Sequence, residues 1–103
     1  MDTVIFPSKC SDAYVNLIFD FTSKMAAAET ISTQAVTASV YTGVDASPSA
    51  IVSGSASASG KQVTQKIIDG EVGTIYALTC TITTSASQKL MLTGLLAIVP
   101  PTV

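Results

Sequence analysis

The chain contains no histidine, no arginine and no tryptophan, and charge is sparse: five lysines against seven acidic residues, 12% of 103 positions, for a net charge of −2. Each absence excludes something. Without histidine, the usual acid–base group near neutral pH and the commonest metal ligand are both missing. Without arginine, and with lysines scattered at positions 9, 24, 61, 66 and 89, nothing supplies the basic patch that a phosphate backbone requires, so no nucleic-acid partner is expected. Long apolar runs are missing as well. The longest candidate, Leu90–Val99, is interrupted by Thr93 and Gly94 and falls far short of the roughly 20 residues that cross a bilayer, so no membrane partner is expected either. The start, Met1-Asp2-Thr3-Val4, is acidic and lacks the basic, then apolar, pattern of a signal peptide.

Candidates for chemistry are few. Cys10 and Cys80 have no histidine or further cysteine near them, so no metal site is expected. A single bridge between them is conceivable, but synthesis in a cytosol favours free thiols, and Cys80 between Thr79 and Thr81 reads as a small buried hydrophobe. Serine is abundant but has no histidine to activate it, and neither Lys61 nor Lys66 stands at a spacing that suggests a Ser–Lys pair. Asp69 and Glu71 flank a turn glycine, where water offers no means of separating their pKa values. Asp20, between Phe19 and Phe21, reads as a solvent-face or edge residue. Gly54…Gly60 and Gly70…Gly73 lack the Gly-Lys-Ser/Thr ending of a phosphate loop. No enzyme, no catalytic residue and no cofactor is expected.

What the chain does have is a period of two. Val15, Leu17, Phe19 and Phe21 alternate with Tyr14, Asn16, Ile18 and Asp20, which predicts a strand with one apolar face. Ile31–Tyr41 alternates Val36, Ala38 and Val40 with Thr37 and Ser39. A strand is expected at Ala50–Ser53, a small-residue strand or turn at Ser53–Gly60, and another strand at Gln62–Ile68. Asp69-Gly70 supplies the positive φ of a tight turn. Thr74–Thr84 is the strongest strand, with Tyr76, Leu78, Cys80 and Ile82 on one face. After Ser85–Gln88 the chain returns through Lys89–Val99, apolar on both faces, until Pro100-Pro101. Ser23–Glu29 alone has helical propensity, enough for one turn or a crossing loop. The fold class is therefore all-β: an antiparallel immunoglobulin-like β-sandwich of six to seven short strands over residues 12–103, preceded by residues 1–11 as an N-terminal arm or edge strand. The Cys…Trp…Cys spacing of antibody domains is absent.

Several stretches, taken in order, resemble a known family. Phe6-Pro7-Ser8-Lys9 leads to Leu17-Ile18-Phe19-Asp20-Phe21-Thr22 and then to Glu29–Thr37; Asp45–Gly54, Gly70-Glu71-Val72-Gly73-Thr74-Ile75-Tyr76 and Cys80–Ala86 follow. This order is similar to the fibre-tail adaptor proteins of tailed bacteriophages, over roughly residues 6–99. The chain departs from them with Ser87-Gln88, where similar proteins often place Gly-Arg. The resemblance implies a non-enzymatic virion structural protein, assembled in the host bacterial cytoplasm, that connects a tail fibre to the neck or tail. Its partners would be other virion proteins of the neck, tail or fibre, or the portal or capsid, in a ring or other multi-copy assembly. A capsid decoration protein and a small receptor- or carbohydrate-binding β-sandwich are the alternatives. Composition agrees with a subunit that buries surface against neighbours. The residues expected at such an interface are Val4, Ile5 and Phe6, set off from the main alternation by Pro7, and Met91 and Leu95 on the outward face of the last strand.

Overall fold

The period-two pattern is realised as eight strands and no α-helix among residues 3–6, 8–11 and 13–100, the part of the chain that the computed structural model describes. The strands are β1 (Thr3–Ile5), β2 (Lys9–Cys10), β3 (Val15–Asp20), β4 (Ile31–Thr42), β5 (Val52–Ser59), β6 (Gln62–Ile67), β7 (Ile75–Thr84) and β8 (Lys89–Val99). They form two sheets. One has the order β1-β8-β7-β4 with β2 also on β8; the other has the order β3-β6-β5. Pairing is antiparallel except where β1 and β2 run parallel to β8. The count exceeds six to seven because the N-terminal segment pairs with β8 in two short pieces, at Thr93–Leu95 and at Ile98–Val99.

The two sheets enclose one core. Leu17, Phe19 and Phe21 come from the β3 side, Val63 and Ile67 from β6, Tyr76, Leu78, Cys80 and Ile82 from β7, and Leu92, Leu96 and Ile98 from β8. Every second residue points inward, as the alternation requires. Around Ala50 the expected strand starts late: Pro48–Ile51 is a 3₁₀ turn, set by proline at its start and by the Ala50 N–H donating to Ser47 O. Ser23–Glu29 likewise holds only the end of a 3₁₀ turn, Thr22–Lys24. The Ser/Ala/Gly run is a strand, β5, whose register against β6 shifts between Ser53 and Ser57. Buried Gln65 compensates there, its Nε2 lying 2.9 Å from Ser53 O and 3.3 Å from Gly54 O. The Asp69-Gly70 turn has two successive positive φ values, 53° and 113°. Ser87, in the β7–β8 turn, sits at φ 62°, a conformation that costs an L-residue about 1 kcal/mol relative to glycine. Cys10 and Cys80 are both free; Cys10 pairs with Val99 and Cys80 with Leu92, which separates them by roughly 20 Å along β8.

Phe6 closes the side of the sandwich where β1 ends. Its N–H donates to Leu95 O, and its ring stands edge-on to Phe19 of the opposite sheet, centroids 5.3 Å apart at 85°. The space for the ring exists because position 94 is glycine: a Cβ there would overlap the Phe6 ring. At one end of the sandwich, buried Tyr76 donates its hydroxyl proton to Asp45 Oδ2 at 2.6 Å and accepts the Glu71 N–H at 2.9 Å. Burial, then the bond to Asp45, pushes the Tyr76 hydroxyl up to about 12. The same bond, with that from the Ser47 N–H, holds Asp45 below the usual carboxylate range.

Two outcomes are expected. Gly94→Ala should cost about 1–3 kcal/mol by overpacking, and much less in a Phe6→Ala background, since both changes touch one contact; paired denaturant melts measure this. Tyr76→Phe leaves the Glu71 N–H and the Asp45 carboxylate without their partner and should cost about 1–3 kcal/mol. Because the folded-state value of Tyr76 exceeds its ordinary value of 10, its contribution is complete below pH 10 and is lost as pH rises toward 12. Tyr76→Phe should therefore flatten the alkaline limb of a stability profile recorded by melts from pH 8 upward.

Candidate protein-docking face

The outward side of the five-stranded sheet is built by the residues that alternate with the core. Register lines them up in rows: Ile5, Leu95, Ala77 and Ser39; then Thr93, Thr79 and Thr37; then Met91, Thr81 and Ala35; then Lys89, Thr83 and Thr33. Among the described residues, Lys89 is the one charge in these rows, and it stands at their end. Threonine dominates the centre, and Thr79 and Thr93 share a hydroxyl contact of 3.2 Å. A neutral surface of this kind carries no electrostatic field to steer a partner; what it offers is apolar area and shape.

The apolar part is concentrated at one corner. Ile5 is 72% exposed and faces Leu95 directly across the β1–β8 pair. Between β1 and β2 the edge is interrupted, and this leaves a hollow of about 290 Å³ lined by Ile5, Phe6, Ser8, Ile75, Leu95 and Ala97. The structure thus brings together three of the five expected interface residues, Ile5, Phe6 and Leu95, with Ile5 and Leu95 outward and Phe6 turned against the core. Met91, 42% exposed, lies four residues back along β8 on the same face. The side chain of Val4 lies outside the described residues. Ile75 and Ala97 were not singled out by sequence reasoning. The signal for them was present, since a tight turn at Ser85–Gln88 fixes the register that sets Ile75 opposite Ala97.

Other charged groups are engaged away from this face. Asp20 accepts from the Thr22 hydroxyl and N–H, which lower its pKa, and Glu29 accepts from the Ala26 N–H and the Thr84 hydroxyl, with the same direction. Burial pushes the Cys80 thiol up to about 12, which keeps it protonated at neutral pH. Lys9 is buried, its ammonium donating to the carbonyls of Cys10 and Asp69. Among the described residues, no three metal-binding side chains gather, and no helix is long and apolar enough to cross a membrane. Asp20 and Glu29 make these local hydrogen bonds away from the outer face of the larger sheet.

Comparison with known proteins adds the family. No curated protein and no solved structure matches the chain. A family model described as podophage GP4 fiber-tail adaptor protein gp77 matches residues 9–96, which is most of the chain. By that match, the protein belongs to the podophage fibre-tail adaptor family of bacteriophage structural proteins.

Proposed function

We propose that this chain is a non-enzymatic connector within the virion, joining a tail fibre to the neck or tail, and that it docks through the outer face of its five-stranded sheet. The observation that carries the reading is the apolar corner of that face, where Ile5 and Leu95 rim a hollow on a surface otherwise neutral but for Lys89 at its end. An apolar side chain of a neighbouring virion protein fits such a hollow, and burying it contributes about 25 cal/mol per Å² of apolar area. Membership of the adaptor family supports a partner in the tail or fibre.

We also assign the sandwich to the immunoglobulin-like class. The order β3-β6-β5 facing β8-β7-β4 corresponds to the B-E-D and G-F-C strands of that class, with β1 and β2 alongside the last strand. Tyr76 near the start of β7, accepting a backbone N–H five residues upstream, has the geometry of a tyrosine corner. Within the N-terminal segment, β1 (Thr3–Ile5) and β2 (Lys9–Cys10) then belong to the domain as a split edge strand whose outward residue, Ile5, reaches the docking face.

The reading predicts that Leu95→Asp and Met91→Lys leave the thermal melt within a few degrees of wild type yet lower incorporation into particles, more than tenfold for Leu95→Asp if it sits at the centre of the contact. Quantitative blotting of purified virions, beside melts of the isolated variants, is the measurement. Normal incorporation of both variants would move the docking site off this face.

A further inference from the structure

Among the described residues, three of the four sheet edges are obstructed and the β3 edge is not. The β1/β2 edge is split into two short pieces, and β5 is interrupted by its register shift. The β4 edge is bulged near both ends, packed by the Pro48–Ile51 turn, and tied to β5 by Gln34 Nε2 donating to Ala56 O. Such features are how sheets blunt their edges. In β3, by contrast, all six residues pair regularly with β6, with no bulge. The ladder phase is set by the Phe21 N–H donating to Lys61 O, so odd-numbered positions bond to β6. Alternation leaves the N–H and C=O of Asn16, Ile18 and Asp20 directed at the open side. Their side chains are exposed too, Ile18 to 52%. Behind this edge, a seam of about 380 Å³ runs between the sheets, lined by apolar Phe6, Val15 and Leu17 among others.

We propose that β3 pairs with β3 of a second copy of this chain, antiparallel about a two-fold axis through Ile18. The edge is complementary to itself in this register. Ile18 meets the second copy's Ile18, and Asn16 meets the second copy's Asp20, which pairs an amide donor with a carboxylate and does so twice by symmetry. Lys66 lies beside Asn16 on the same face, so each lysine shares a row with the other copy's carboxylate. Asn16, Ile18 and Asp20 already direct their backbone groups outward, so the three residue pairs exchange about six main-chain hydrogen bonds. Shifting the axis to Leu17 would set Ile18 against Asn16 and Asp20 against Tyr14, losing both matches. The second β3 also covers the mouth of the seam. This contact lies on the other sheet from the docking face and does not depend on it.

Sedimentation equilibrium of the full chain over a concentration series tests the proposal. Wild type should show a reversible monomer–dimer equilibrium. Ile18→Lys, which sets like charges face to face on the axis, should weaken it roughly tenfold or more without shifting the melt, while Leu95→Asp should leave it unchanged. On mild oxidation Ile18→Cys should form a covalent dimer, because a hydrogen-bonded pair places the two Cα atoms about 5.5 Å apart; Asn16→Cys, which faces Asp20, should not. A strictly monomeric wild type overturns the proposal, as does a dimer indifferent to Ile18→Lys or one cross-linked equally well from position 16. Protection of the β3 amides from hydrogen exchange only after another virion protein is added would assign the edge to that protein and overturn it as well.

Discussion

The arrangement depends on one contact, the ring of Phe6 seated over Gly94 and edge-on to Phe19. β1 and β2 are too short to hold the edge of β8 by main-chain hydrogen bonds alone, since each contributes only two or three residues to the ladder. Phe6 turns that weak pairing into a packed closure that touches both sheets at once. Its consequences run outward. With Phe6 turned in, alternation forces Ile5 out, beside Leu95, and so the residue that seals the core also determines which apolar side chain the outer face of the sheet displays. Lys9 ties the next part of the same segment to the β6–β7 turn by donating its ammonium to the carbonyls of Cys10 and Asp69.

The fold was legible where alternation was strong and turns were short. β3, β4, β6, β7 and β8 fall within a residue or two of their expected bounds, because their buried faces repeat every second residue and a one-residue slip would turn each of them inside out. What sequence could not settle was set by non-local packing. Pro48 and the bond from Ala50 to Ser47 delay β5, although Ala50–Ser53 has a strand's composition. Nothing local to Phe6 says that it turns inward, because the reason lies in the missing Cβ of Gly94, 88 positions away. Met91 and Leu95 were readable as apolar residues on the outward face of the last strand, and Ile5 only as part of the apolar patch Val4-Ile5-Phe6 before Pro7. Their grouping with Ile75 required the β7–β8 register, which the four-residue turn implies but local composition does not display.

Ser87 illustrates the same limit at a single residue. Its left-handed conformation suits the glycine that similar proteins often carry there, and the turn retains it because Thr84 organises the loop. The Thr84 N–H donates to Gln88 O, the Ser87 N–H donates to Thr84 O, and the Thr84 hydroxyl accepts from Ala86 and Gln88 while donating to Glu29. Hydrogen bonding within the turn, anchored to Glu29 through Thr84, thus offsets a local conformational preference of about 1 kcal/mol.

The distribution of charge decides how such a molecule must associate. Asp20, Glu29 and Asp45 accept hydrogen bonds off this face, and among the described residues the outer face of the larger sheet is left neutral but for Lys89 at its margin. A face without charge cannot accelerate encounter by long-range attraction, so its on-rate is that of unsteered diffusion and is little affected by salt. It gains in a different respect, because no charged group has to be desolvated when the face is covered. Affinity at such a surface rests on the fit of a few apolar side chains, and therefore on dissociation being slow rather than association being fast. That is the kinetic character the proposed joint needs, where a part is added once and then has to stay.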